Sequence, residues 1–173
     1  MKALFRIALL SSLLILGACK PKPPEPTVFS PPDKSFTVMM LGTPTPKDHE
    51  ANPAVNFKGG TTYELRTDGK FYMVGFFDYA TSPPGMHSDS LDRFRDIFLK
   101  SSKGQLTSEE SVMLDGNTGR ELVVQDPSGL TTHVRIFIKE KRAYLVGVDI
   151  GKDADNQSPL ITNYLNSFHI RED

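Results

Sequence analysis

The stretch LTTHVRIFIKEKRAYLVGVDIG, residues 130–151, decides the fold class. Val134, Ile136 and Ile138 share one face of an extended chain, and Thr131, His133 and Arg135 share the other. Alternation at a period of two is the signature of β-strands with one face buried. Just upstream, SVMLDGNTGRELVVQD (residues 111–126) repeats the pattern around a turn. The two stretches predict three or four consecutive strands.

Working towards the N-terminus, LDRFRDIFLKSSKG (91–104) changes period. Leu91, Phe94, Ile97 and Phe98 fall at helical spacing, while Asp92, Arg93, Arg95 and Asp96 lie around the other side. Ser88 or Ser90 is placed to cap its start, and Gly104 follows its last turn. KFYMVGFFDYA (70–80) is apolar on both faces, which predicts a central strand. It is joined to the alternating TTYELRT (61–67) through Asp68-Gly69, a strong hairpin signal. SFTVMML (35–41) puts Phe36, Val38 and Met40 on one face. The proline- and glycine-rich stretch between, residues 42–60, reads as a long loop. At the other end, SPLITNYLNSFHI (158–170) opens with Ser158 as cap and Pro159 at the first helical position. Ile161, Tyr164, Leu165 and Phe168 then form one apolar stripe. Strands, helix, more strands, helix: the order predicts an α+β domain, an antiparallel sheet of six to seven strands packed by two main helices.

The N-terminus has a different character. Lys2 and Arg6 precede an apolar run from Ile7 to Leu16, with no acidic residue before Glu25. A positive start, a short apolar core and small residues at its end describe a secretory signal peptide. The run is about half of the roughly 20 apolar residues that a spanning helix needs. The LGAC that closes it resembles the lipobox of bacterial lipoproteins. That resemblance implies that Leu16, Gly17 and Ala18 are read by the signal peptidase, and that Cys19, the single cysteine of the chain, becomes the lipid-bearing first residue of the mature protein. With Cys19 acylated, the mature domain would carry no thiol into an oxidising compartment. The expected organisation is a signal peptide (1–18), a lipidated cysteine and Pro-rich tether (19–32) and one domain (33–173). The tether would rise about 3.1 Å per residue as polyproline II. Lys20, where an aspartate commonly retains such proteins in the inner membrane, favours the periplasmic face of an outer membrane in a Gram-negative host.

FSPPDKSFTVMMLGTPTP (29–46), the 61–80 hairpin, DGNTGRELVVQD, RIFIKEKRAYLVGV and the closing YLNSFHI are similar in order and spacing to a widespread bacterial domain whose best-known relatives are PsbP-like proteins. The resemblance covers about 33–170 and implies an α-β-α sandwich around an antiparallel sheet. PsbP itself is an accessory subunit of photosystem II, and none of its site residues carries over.

The residues offer little catalytic chemistry. His49, His87, His133 and His169 are never three or four apart and have no cysteine nearby, so no zinc pattern exists. G-x-S-x-G, a serine with lysine three residues on, the Walker pattern and G-x-G-x-x-G are all absent. Asp149, Asp153 and Asp155 lack the Gly and Glu spacing of a calcium loop. Loss of residues 1–18 moves the formal charge from −1 to −3, with no basic stripe, which argues against nucleic acid. No metal or cofactor is expected. The leading expectation is a membrane-anchored, non-catalytic binding or accessory domain with an envelope protein as partner. The first alternative is a carrier of a small hydrophobic or lipidic ligand, with Phe71, Met73 and Phe77 as pocket wall and His133 and Arg135 as a polar patch. The second is a hydrolase whose site is assembled from distant residues.

Overall fold

The computed structural model describes residues 25–67, 69–83, 87–151 and 159–171. The expected signal segment, Leu16, Gly17, Ala18 and Cys19, and likewise Asp68, Asp153, Asp155 and the expected cap Ser158, lie outside the described residues. In chain order the elements are β1 (Thr27–Phe29), β2 (Phe36–Met40), β3 (Thr45–His49), a 3-10 turn (Pro53–Val55), β4 (Phe57–Thr67), β5 (Lys70–Tyr79), α1 (His87–Ser102), β6 (Gln105–Leu114), β7 (Asn117–Gln125), β8 (Thr131–Lys139), β9 (Arg142–Asp149), α2 (Pro159–Asn166) and β10 (His169–Ile170).

Seven strands form one antiparallel sheet in the order β3-β4-β5-β9-β8-β7-β6. Its centre is the pair of β8 and β9, and the hydrophobic pattern there says why. Val146 and Val148 alternate with Ala143, Leu145 and Gly147 on β9, so both faces can be buried, and all of β9 from Ala143 to Val148 is. Two-residue turns link β8 to β9 and β6 to β7. In the second, Asp115 and Gly116 both have positive φ (48° and 76°), as a primed hairpin turn requires. In the first, Glu140 takes φ 54° without being glycine.

The two sheet faces carry separate cores. On one, α1 seats Leu91 and Phe94 against Leu122, Val134, Ile136 and Leu145. Arg95 and Arg120, with Asp92 and Glu109 between them, pin that helix to β6 and β7. On the other, the small sheet β1-β2-β10 and α2 cover Tyr72, Val74, Phe137, Val146 and Val148. This is a layered α+β fold with a helix on one side and a helix plus a three-stranded ribbon on the other.

Three boundaries differ from those expected. Residues 42–60 are not a continuous loop: they contain β3 and the first four residues of β4. Pro46 is tolerated because β3 is an edge strand, where a missing N–H costs no ladder bond. Gly60 is needed because Phe77 and the Phe76 carbonyl pack where a Cβ would stand, the carbonyl oxygen at 2.3 Å. The stretch 19–32 expected as tether ends in structure, since Thr27–Phe29 pair with β2 and the Phe29 ring lies 4.8 Å from that of Tyr63. Finally, α2 stops at Asn166, so Phe168 sits in the link to β10 instead of on the helix.

Candidate functional site

The cover formed by β2 and α2 is shorter than the sheet beneath it, and a groove opens at each end. Ser35 precedes β2 at one groove, and Met39 and Leu41 lie at the other.

The first groove, about 700 Å³, is polar and lies beside the β8–β9 turn. Arg142 is its hub. The guanidinium donates Nε to Asp78 Oδ1 at 2.6 Å, Nη2 to Asp78 Oδ2 at 3.1 Å, and Nη1 to Asp33 Oδ2 at 2.6 Å. It also lies over the Phe76 ring, 4.0 Å from the centroid. Burial works against its charge, but the hydrogen bonds to Asp78 and Asp33 outweigh that and raise its pKa further. Burial likewise opposes ionisation of Asp33, yet donation from the Ser35 amide and hydroxyl, with Arg142, holds its carboxyl below the ordinary range. The planar, bidentate fit is what arginine does better than lysine. One guanidinium against two carboxylates leaves a net charge of −1 on this trio. Lys139, Lys141 and Arg171 line the same groove and have no ion-pair partner among the described residues, against the single carboxylate of Glu140. The result is a preorganised floor in a groove of four cations and three carboxylates, a net charge of +1. Its one hydroxyl–carboxylate pair, Ser35 on Asp33, involves a carboxylate held below the ordinary range and so a weak base; the groove suits an anionic group held by charge.

The second groove, about 460 Å³, is apolar. Met39 and Leu41 form one wall, Tyr72 of β5 the floor, and Leu160, Asn163 and Tyr164 the other wall. The Tyr72 and Tyr164 rings meet edge to face at 5.0 Å, and the Tyr164 hydroxyl donates to the Met73 carbonyl at 3.0 Å. Burial raises the Tyr164 pKa far above that of an exposed phenol.

The residues proposed from the sequence as one ligand surface are not brought together. Phe71, Met73 and Phe77 project to the α1 side of the sheet. Phe71 lies under the Arg66 guanidinium at 4.3 Å; Met73 packs on the α1-side core; Phe77 stacks on Phe57 at 5.3 Å and touches Phe94 and His49. His133 and Arg135 project to the α2 side. Arg135 is held by Glu121 at 2.6 Å and Asn166 at 2.7 Å. His133 is buried between Val123 and Val148, its Nε2 without a hydrogen-bond partner. The intact sheet separates the two sets. The apolar concavity opens on the other face of β5, over Tyr72. His49 shares a hydrogen bond with Thr62 at 2.9 Å, and His169 lies 3.4 Å from Asp115, far apart in sequence and partner. Among the described residues no three His, Cys, Asp or Glu side chains are grouped to hold a metal, and no helix is long and apolar enough to cross a membrane. The signal for the polar groove was present in the run Lys139-Glu140-Lys141-Arg142, three cations in four residues at a turn.

No protein-family model matches this chain, and no curated protein matches it. Among solved structures it is similar to cyanobacterial PsbP (CyanoP) from Synechocystis sp. PCC 6803, determined in solution. The two are 15% identical, the alignment covers 90% of this chain and 99% of that one, and the TM-score is 0.59. At that identity the likeness speaks for architecture. The domain has a PsbP-like α+β fold.

Proposed function

We propose that this chain is a lipid-anchored, non-catalytic binding module of a bacterial envelope, held to the membrane through Cys19 and docking an acidic segment of an envelope protein in the groove at the β8–β9 turn. The observation that carries the reading is the set of three cations, Lys139, Lys141 and Arg171, without an ion-pair partner among the described residues, beside an arginine already held by two aspartates. Because Arg142 is spent on the fold, the remaining cations are available for recognition. The Pro-rich sequence between Cys19 and Thr27 would give the groove its reach from the bilayer, and the absence of Asp at position 20 favours the outer membrane. A PsbP-like accessory role is in keeping with a surface that binds and does no chemistry.

The test is co-purification from crosslinked membranes, using the full chain with its anchor. Lys139→Glu with Lys141→Glu should lose the partner recovered by the wild type, and that recovery should fall with added salt. Lys100→Glu, on α1, should recover it undiminished. Equal recovery by all three chains would place docking elsewhere.

A further inference from the structure

The apolar groove at the Leu41 end is left open by the described residues. Its volume, about 460 Å³, lies within the roughly 300–1,000 Å³ typical of small-molecule sites, and such sites are mostly apolar with few polar groups. Among the described residues Asn163 is the one amide in its lining, no cation lines it, and the Tyr164 hydroxyl is committed to Met73.

Sequence next to the groove offers no filler. The segment between Gly151 and Pro159 is Lys-Asp-Ala-Asp-Asn-Gln-Ser, without a side chain larger than alanine's that is apolar. Between Cys19 and Glu25 stand only lysines and prolines. Pro26 lines the groove, however, and Cys19 is seven residues before it. At about 3.1 Å per residue in polyproline II, that is roughly 22 Å of tether. The chain outside the structure therefore ends at the groove, and the proposed anchor keeps the groove within one short tether of hydrocarbon.

We infer that this groove binds a single hydrocarbon chain of a membrane-derived fatty acid, with the polar head left in solvent. The source of the chain rests on the proposed anchor; the site does not. Met39, Leu41 and Leu160 would contact methylenes, and the buried edge-to-face tyrosines would close the deep end.

The experiment uses the chain from Lys20 onward, which carries neither a lipid nor the apolar run Ile7–Leu16, and titrates it below micellar concentration with ¹³C-labelled fatty acids of eight to sixteen carbons. Binding should be saturable at one chain per protein. Each added methylene should tighten it about fourfold until the groove is full. The fatty alcohol of equal length should bind as well as the acid, and Leu41→Lys, at unchanged melting temperature, should weaken both at least tenfold. Leu160→Gln serves as a second probe should Leu41→Lys unfold the chain. No saturable binding, no dependence on chain length, or binding indifferent to both substitutions would overturn the inference. So would concentration-dependent dimerisation that buries the groove and blocks the titration, since a second copy would then be the occupant. Loss of fatty-acid labelling at Cys19 in cells would refute the anchor and leave this titration untouched.

Discussion

Truncation of Phe168 to alanine measures how the α2 layer is attached to the sheet. Phe168 is 0% exposed, and its ring meets Phe36 of β2 at 5.5 Å, Phe137 of β8 at 6.0 Å and Tyr144 of β9 at 6.2 Å. Three separate elements thus wall the site. None can move into the vacated space without leaving its own ladder, so the cavity will not collapse. Phe→Ala in cores costs about 3–5 kcal/mol, and the cost grows with the cavity that remains. The upper half of that range is expected here, with the loss of aromatic pairs worth about 0.5–1.5 kcal/mol each already contained in it. Against a total stability of about 5–15 kcal/mol this is a large share. Asn163, exposed on α2 and engaged through its backbone, is the control: Asn163→Ala should change stability by less than about 0.5 kcal/mol. Urea melts of the two variants, with unchanged m-values, decide the matter. Losses below about 1 kcal/mol from both would mean that the α2 layer does not pack on the sheet as described.

Three further outcomes follow from particular contacts. A chain beginning at Asp33 should be about 1–3 kcal/mol less stable in denaturant than one beginning at Glu25, because it lacks β1 and the Phe29 ring on Tyr63; equal midpoints would return residues 27–32 to the tether. Gly119→Ala should destabilise by about 1–3 kcal/mol, since its Cβ would stand 2.4 Å from both the Ile136 carbonyl oxygen and the Phe137 ring; a neutral melt would show that β7 and β8 are not in this register. Burial raises the Asp149 pKa above its ordinary value, partly offset by the hydrogen bond from Thr132. The folded state then binds more protons than the unfolded one just above the ordinary carboxyl range, so this group's contribution is present at lower pH and lost as pH rises through its folded pKa. Asp149→Asn, which keeps the acceptor for Thr132, should remove that loss and be at least as stable as wild type at pH 7. A marked loss of stability at pH 7 would contradict it.

The strands that pair in the centre were legible because both constraints on them act at short range: alternation across a pleat, and a turn of two residues. β8, β9 and the Asp115-Gly116 hairpin are of this kind. β3 was not, because an edge strand exposed along nearly its whole length has no apolar period to betray it, and its Pro46 reads as a breaker until the strand is known to be at the edge. Phe168 falls at helical spacing from Tyr164 and Leu165, yet the Ser167 hydroxyl ends the helix by donating to the Tyr164 carbonyl, and the tertiary position of the ring is reached from the link instead. The candidate site was half legible for a related reason. An apolar run such as Phe71–Phe77 announces burial on both faces but not which face is fully covered. That depends on α1 sealing one side along its length, while the shorter β2 and α2 leave a groove at each end, beside Leu41 and beside Arg142. Arg142 and its partners Asp33 and Asp78 are 109 and 64 residues apart in sequence, beyond any local pattern.

The proposed function depends first on the lipid at Cys19. Cells fed a radiolabelled fatty acid and expressing either wild type or Cys19→Ser give the most direct reading. The account predicts label on a wild-type protein that has lost residues 1–18 and fractionates with membranes, and no label on a Cys19→Ser chain that persists as uncleaved precursor. Equal labelling of the two, or a wild-type chain that matures without label, would contradict it.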